Sequence, residues 1–194
     1  MDSINSPQVE TINPEKLLLK VIPVLDELKI DYFVTGSFAV SVWGRPRATF
    51  DIDIVVNLLE PKVKPLAAAL KKISKFGYVD EETAREALNT KGEFNFIDPE
   101  TGIKVDFWAV SGDEKTKLQF KRRVAKKIDK QKVYFVSPED LILSKLLWYK
   151  KSQSTRHLED IESVLKISKM DKKYLKNWAG KLDVAEIWAR IQKK

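Results

Sequence analysis

The stretch Phe50–Asn57 restricts the fold more than any other part of the chain. Successive side chains of a strand point to opposite faces, so Ile52, Ile54 and Val56 share one face and Asp51, Asp53 and Val55 the other. Acidic residues are poor strand formers. A strand that sets two of them side by side is therefore expected to face a cation. An apolar run over Lys29–Thr35 precedes it and ends in Gly36-Ser37. A short helical pattern, Phe38–Trp43, and a loop, Gly44–Arg47, lie between.

Composition narrows the cation. The chain has no cysteine and one histidine, His157, so thiolate and multi-histidine sites are excluded. Oxygen ligands remain, which suit magnesium, manganese or calcium. A third acid, Asp106, interrupts the apolar pattern Ile103, Val105, Phe107 of a later strand and completes the candidate metal set Asp51, Asp53 and Asp106. Three carboxylates packed together repel one another without a cation, and Mg²⁺ takes much of its shell from substrate phosphates. Gly36-Ser37 fits that need: glycine lets the backbone approach an anion closely, helix-start N–H groups favour negative charge, and the serine hydroxyl can donate. Taken singly, a Gly-Ser pair is a turn, an Asp-x-Asp arises by chance, and Asp106 closes an ion pair with Lys104 or an arginine. The order of these features along one stretch is what carries the expectation of metal-dependent phosphoryl transfer.

The rest of the chain frames that stretch. Its 194 residues, 43% hydrophobic and 32% charged, suit one globular domain with or without a helical extension. Asn13-Pro14-Glu15 reads as a helix start, followed by Leu17, Leu18, Val21, Val24, Leu25 and Leu28 at helical spacing. Pro61–Phe76 reads as a second helix and Asp80–Leu88 as a short acidic one. Glu93–Ile97 and Ile103–Val110 read as a hairpin, and Lys130–Val136 as a further strand after the very basic Lys121–Lys127. Ser137-Pro-Glu-Asp140 opens a helix to about Lys151, and helices over Thr155–Ser168, Lys172–Trp178 and Asp183–Gln192 follow. Residues 1–12 read as a loose arm. The expected architecture is α/β (α+β), a mixed sheet flanked by helices over residues 1–136 and a helical region over 137–194. Residues 1–110 carry 13 basic and 17 acidic side chains, and residues 111–194 carry 22 and 11. The basic part suits nucleic acid, a nucleotide or an acidic partner, or is a solvated lysine-rich surface. No apolar run approaches the roughly 20 residues of a membrane span, and the N-terminus lacks a signal-peptide pattern, so a cytoplasmic protein without membrane contact is expected.

Lys145 has only apolar neighbours one turn away: Leu141, Ile142, Trp148 and Tyr149. It therefore lies on the buried side of its helix and needs an anionic partner. A nucleotide phosphate, Asp160, or an outward reach of the ammonium to water would each satisfy it. Arg156 and Asp160 stand four residues apart, which suits a surface ion pair. Trp148, Trp178 and Trp188 lie among aliphatics at helical spacing and read as core.

These features together resemble the nucleotidyltransferase superfamily typified by DNA polymerase beta. Its pattern of Gly-Gly or Gly-Ser, a spacer, Asp-x-Asp and a later acid stands here as Gly36-Ser37, thirteen residues, Asp51-Ile-Asp53 and Val105-Asp106-Phe107. Arg47-Ala-Thr-Phe-Asp-Ile-Asp53, Ser137–Leu146 and Arg156-His-Leu-Glu-Asp160 are similar to the minimal bacterial branch that includes AbiEii-type toxins and small antibiotic nucleotidyltransferases. The resemblance covers roughly residues 30–165. It implies a Mg²⁺-dependent enzyme (Mn²⁺ as the substitute) that moves a nucleoside monophosphate from an NTP such as ATP to an acceptor hydroxyl. Asp51, Asp53 and Asp106 would be ligands, with Asp106 also the base. Gly36, Ser37, Arg47 and Lys145 would bind the nucleotide, and Arg156 with Asp160 would brace the cleft. The acceptor would be tRNA or other RNA, a protein, or a small molecule, and toxin-type relatives imply a cognate antitoxin as partner. Departures are Gly-Ser in place of Gly-Gly and His157 where lysine or arginine is common. A catalytically inactive nucleotide-binding regulatory or toxin–antitoxin module is the second expectation.

Overall fold

A computed structural model of the protein describes residues 13–110 and 112–192; the arm expected over residues 1–12 lies outside them. The first helix, α1 (Pro14–Glu27), begins as its sequence dictates: the Asn13 side chain accepts from the Glu15 N–H at 2.9 Å. Its buried stripe is Leu17, Leu18, Val21, Ile22 and Leu25. Strand β1 (Tyr32–Thr35) runs directly into α2 (Gly36–Trp43). The expected Gly36-Ser37 turn is thus the first residue pair of the helix itself. Strand β2 (Asp51–Val56) follows, with Ile52, Ile54 and Val56 fully buried and Asp51 exposed.

The second expected helix is shorter than its sequence pattern. A 3-10 turn over Glu60–Lys62 leads into α3 (Val63–Lys71), which packs on α1. Beyond it the N–H groups of Lys72 and Ile73 bond to carbonyls three residues back, which tightens and ends the helix before Phe76. A two-residue strand β3 (Tyr78–Val79), helix α4 (Glu81–Thr90) and the hairpin β4 (Glu93–Asp98) with β5 (Ile103–Ala109) complete the first part.

Two elements lie where the sequence offered only a basic segment: α5 (Glu114–Arg122) and β6 (Val124–Ile128). The signal for α5 sits at its ends. Asp113 caps it by accepting from Thr116 N–H at 2.8 Å, with Glu114 in the first turn and Lys121 and Arg122 in the last. β6 is the sheet's edge strand, with Ala125, Lys126 and Lys127 exposed, so it lacks the alternation of a half-buried strand; lysines there discourage edge pairing. Strand β7 (Gln131–Phe135) closes the sheet. Helices α6 (Pro138–Ser152), α7 (Thr155–Ile167), α8 (Lys172–Lys181) and α9 (Ala185–Gln192) follow.

The seven strands lie in the order β3-β4-β5-β2-β1-β7-β6. β2 pairs antiparallel with β1 and parallel with β5, and β1 pairs parallel with β7, so the sheet is mixed as expected. Its register writes two rows across the three central strands. Thr35, Asp53 and Asp106 form one row; Phe33, Val55 and Trp108 form the next, two residues away on each strand.

The helical part is tied to the sheet by buried polar contacts. Trp43 donates its indole N–H to the Val136 carbonyl at 2.9 Å, and the Ser168 hydroxyl donates to the Trp43 carbonyl at 2.7 Å. Gly44 faces α7 so closely that a Cβ there would stand 2.5 Å from Ser163 Oγ and 3.1 Å from helix backbone. Asp140, fully buried, accepts from Ser137 Oγ at 2.8 Å and from the Tyr174 hydroxyl at 2.7 Å, with Arg122 Nε at 3.4 Å. The acid that marks the start of α6 in the sequence therefore also joins α5, α6 and α8.

Candidate active site

A cavity of about 650 Å³ opens between the sheet and α5, α6 and α7. Its floor is the sheet face that carries Phe33, Thr35, Asp53, Val55 and Trp108. Gly36 and Ser37 line it from α2, Lys145 and Trp148 from α6, and His157 from α7.

Gly36 is irreplaceable for two reasons that meet at one atom. Its φ is +64°, in the left-handed region, and a Cβ on it would stand 1.8 Å from Asp53 Oδ2. The start of α2 and the Asp53 carboxylate can therefore share this corner only because residue 36 has no side chain. Asp53 Oδ1 accepts from the Trp108 indole N–H at 3.3 Å. Burial holds the Asp53 carboxyl above the usual carboxylate range; the Trp108 hydrogen bond opposes this, and the charges of Asp106 and Asp51 add to it.

Asp51, Asp53 and Asp106 stand on one face, and their oxygens suit a hard divalent cation in kind. They do not converge on a common point. Among the described residues no three His, Cys, Asp or Glu side chains are grouped closely enough to hold a metal ion. Asp51 is exposed and sits opposite Lys104 in the register. Asp106 Oδ2 is held by Lys104 Nζ at 2.9 Å, an ion pair that raises the lysine's own pKa. Lys104, itself about 40% exposed, thus occupies an Asp106 oxygen that a cation would need.

Arg47 does not line this cavity. The loop before β2 folds back on α2, where the Arg47 N–H donates to Ser41 Oγ at 3.2 Å. Its guanidinium donates to Ser37 Oγ and pairs through Nε with Asp160 Oδ1 at 3.1 Å. Lys145, 7% exposed, pairs with Asp160 Oδ2 at 2.8 Å while still lining the cavity. Of the partners open to Lys145 in sequence, the carboxylate is the one that satisfies it here. Asp160 thus serves Arg47 and Lys145, and the expected pair with Arg156 is replaced by these two longer-range contacts. Arg156 is exposed beside a second, smaller cavity behind Arg47.

Trp178 and Trp188 are core, but Trp148 is not: it is 45% exposed and faces the cavity. Its ring lies edge-on to Trp108 at 6.4 Å and near-parallel to His157 at 6.4 Å. Burial, and then the Lys145 charge, hold the His157 pKa below its ordinary value. Sequence periodicity assigned Trp148 to the buried side because its neighbours are aliphatic; the cavity removes what would have covered it. Lys115 and Gln119 of α5 also line the site, and nothing in their sequence context flagged them.

Similar folds occur among solved structures. ANT(2")-Ia in complex with adenylyl-2"-tobramycin shares 16% identity over 93% of this chain and 98% of its own, with a TM-score of 0.57. An antigenic nucleotidyltransferase-like protein from Paracoccidioides brasiliensis shares 22% over 93% and 88%, with a TM-score of 0.58. The lincosamide antibiotic adenylyltransferase LnuA, lincomycin-bound, shares 14% over 79% and 98%, with a TM-score of 0.55. No curated protein matches the sequence. Residues 15–192 match the family described as nucleotidyltransferase of unknown function (DUF6036). With nearly all of its length inside that match, the chain belongs to this nucleotidyltransferase family.

Proposed function

We propose that the protein transfers a nucleoside monophosphate from an NTP to an acceptor hydroxyl and releases pyrophosphate. The observation that carries this is the corner where Gly36, at the start of α2, meets Asp53 beside Asp106. Backbone N–H groups at that helix start point toward anions, and Ser37, oriented by Arg47, adds a hydroxyl. Triphosphate held there brings its α-phosphorus to the acidic row. Asp51, Asp53 and Asp106 would hold Mg²⁺, with Mn²⁺ as the substitute, and the ion would neutralise charge on the transferring phosphoryl group. Asp106 would accept the acceptor's proton. Lys145 stands at the edge of the phosphate corner, anchored by Asp160. The acceptor class is a small molecule, an RNA such as tRNA, or a protein side chain.

The Lys104–Asp106 ion pair favours a second reading, a nucleotide-binding module without catalysis whose partner is another protein such as an antitoxin. One experiment separates the two. Protein is incubated with each α-labelled NTP, Mg²⁺ and cell lysate, beside Asp53→Ala. Pyrophosphate release and a labelled product that vanish in the variant support transfer. Tight NTP binding with no pyrophosphate release under any acceptor mixture supports the binding module.

A further inference from the structure

We propose that the apolar row Phe33, Val55 and Trp108 seats the nucleobase of the bound nucleotide, and that Gln119 on α5 selects which base it is. This inference rests on the nucleotidyl-transfer reading of the same cavity.

The placement follows from the register. The apolar row lies two residues along the strands from the row of Asp53 and Asp106. At the strand rise that is about 7 Å, the reach of one ribose from a phosphate held at the Gly36 corner. Thr35 and Asp53 of the acidic row line the same cavity as the apolar row, so a nucleotide with its phosphates at Asp53 carries its base onto the apolar row. Trp108 and Trp148 meet there at 70° and offer ring faces on two sides. Aromatic faces stack on any base, so they supply affinity without choosing among bases.

Choice needs a polar group, and α5 supplies one. Gln119 is 8% exposed and lines the cavity. Its amide makes no hydrogen bond among the described residues. The amide is open to the cavity and faces the space a ligand would fill. An amide both donates and accepts, which matches the adjacent donor and acceptor atoms on the edge of a nucleobase. Lys115 lies one turn earlier on the same helix face, lines the same cavity and forms no salt bridge among the described residues. Burial lowers its pKa. Its charge favours an anionic nucleotide over a neutral ligand in this space.

The test measures binding of non-hydrolysable ATP, GTP, CTP and UTP analogues and of inorganic triphosphate, each with Mg²⁺, by tryptophan fluorescence and by calorimetry. Wild type is expected to prefer one base by at least about tenfold, the scale of a lost buried hydrogen bond, with quenching that Trp148→Phe alters. Gln119→Ala and Gln119→Leu should level the four affinities and leave triphosphate binding unchanged. Gln119→Glu, nearly the same shape, should change the preferred base. Trp148→Ala should weaken all four NTPs about tenfold or more without affecting triphosphate. Equal affinity for all four bases in wild type, or a preference that survives both Gln119→Ala and Gln119→Leu, overturns the proposal. NTP binding indifferent to Trp148→Ala also overturns it, because the floor then holds the acceptor instead. Failure of both NTPs and triphosphate to bind is a different result, and it removes the nucleotidyl-transfer reading beneath.

Discussion

Replacing Asp160 by alanine tests whether one buried carboxylate holds the two halves of the site together. Asp160 is 3% exposed and faces two cations: Lys145 Nζ at 2.8 Å and Arg47 Nε at 3.1 Å. Lys145 is 7% exposed, so without Asp160 its ammonium loses the carboxylate that pairs with it directly. Breaking a buried ion pair by removing one partner costs about 3–5 kcal/mol. At about 2–4 °C per kcal/mol for a chain of this size, the melting temperature should fall by roughly 6–20 °C. The damage should also reach the phosphate corner, because Arg47 orients Ser37 and Asp160 anchors Arg47. Thermal and urea unfolding followed by circular dichroism give the stability change. The double variant Asp160→Leu with Lys145→Met removes both charges and should recover part of the loss, since apolar replacements of buried pairs are often neutral. A cost below about 1 kcal/mol for Asp160→Ala would place the pair among ordinary surface bridges and refute the argument. A double variant no more stable than Asp160→Ala would show that the stranded lysine charge is not the cause.

Other perturbations probe the same cleft. Gly36→Ala should cost about 1–2 kcal/mol for the left-handed backbone alone, and its Cβ must displace the Asp53 carboxylate, so activity should fall by roughly a hundredfold; unchanged turnover would mean that Asp53 has no fixed position. Lys104→Ala frees Asp106 Oδ2, and the Mg²⁺ concentration for half-maximal activity should drop about two- to fivefold, the scale of a half-exposed ion pair; an unaltered Mg²⁺ requirement would show that Lys104 does not compete with the cation. His157 is the chain's one histidine, so its imidazole titration can be read directly by NMR. The midpoint should lie below 6.5, because burial and then Lys145 disfavour the charged ring. The unfolded chain then binds that proton more readily than the folded one, so stability is complete above about pH 6.5 and declines as pH falls below it. His157→Gln should flatten that decline, and a midpoint at or above 6.5 would contradict the burial of the ring.

Much of this architecture is readable because it is local. The caps at Asn13 and Ser137 need only residues within one turn, and each helix begins where its cap lies. The facing of Asp51 and Asp53 follows from the two-residue period of a strand. The hairpin of β4 and β5 follows from the Asp98–Gly102 turn between two alternating runs. Elements whose apolar signal is weak escape such reading. α5 buries little but Gln119, and β6 is an exposed edge, so their residues look like solvated basic chain.

Periodicity and caps thus fix which faces are apolar, where helices start, and which acids share a strand face. The partners of these residues come from packing. Asp160 meets Arg47, 113 residues away, instead of Arg156, four away. Asp106 meets Lys104, Trp148 borders open space, and Gln119 reaches the cleft without a hydrogen-bond partner among the described residues. Periodicity records the sidedness of each element, because burial of a stripe leaves its mark every second or every third to fourth residue. It carries no record of which element lies opposite or whether the space between them is filled. That depends on sheet order and helix packing, and the cavity exists only where those leave a gap.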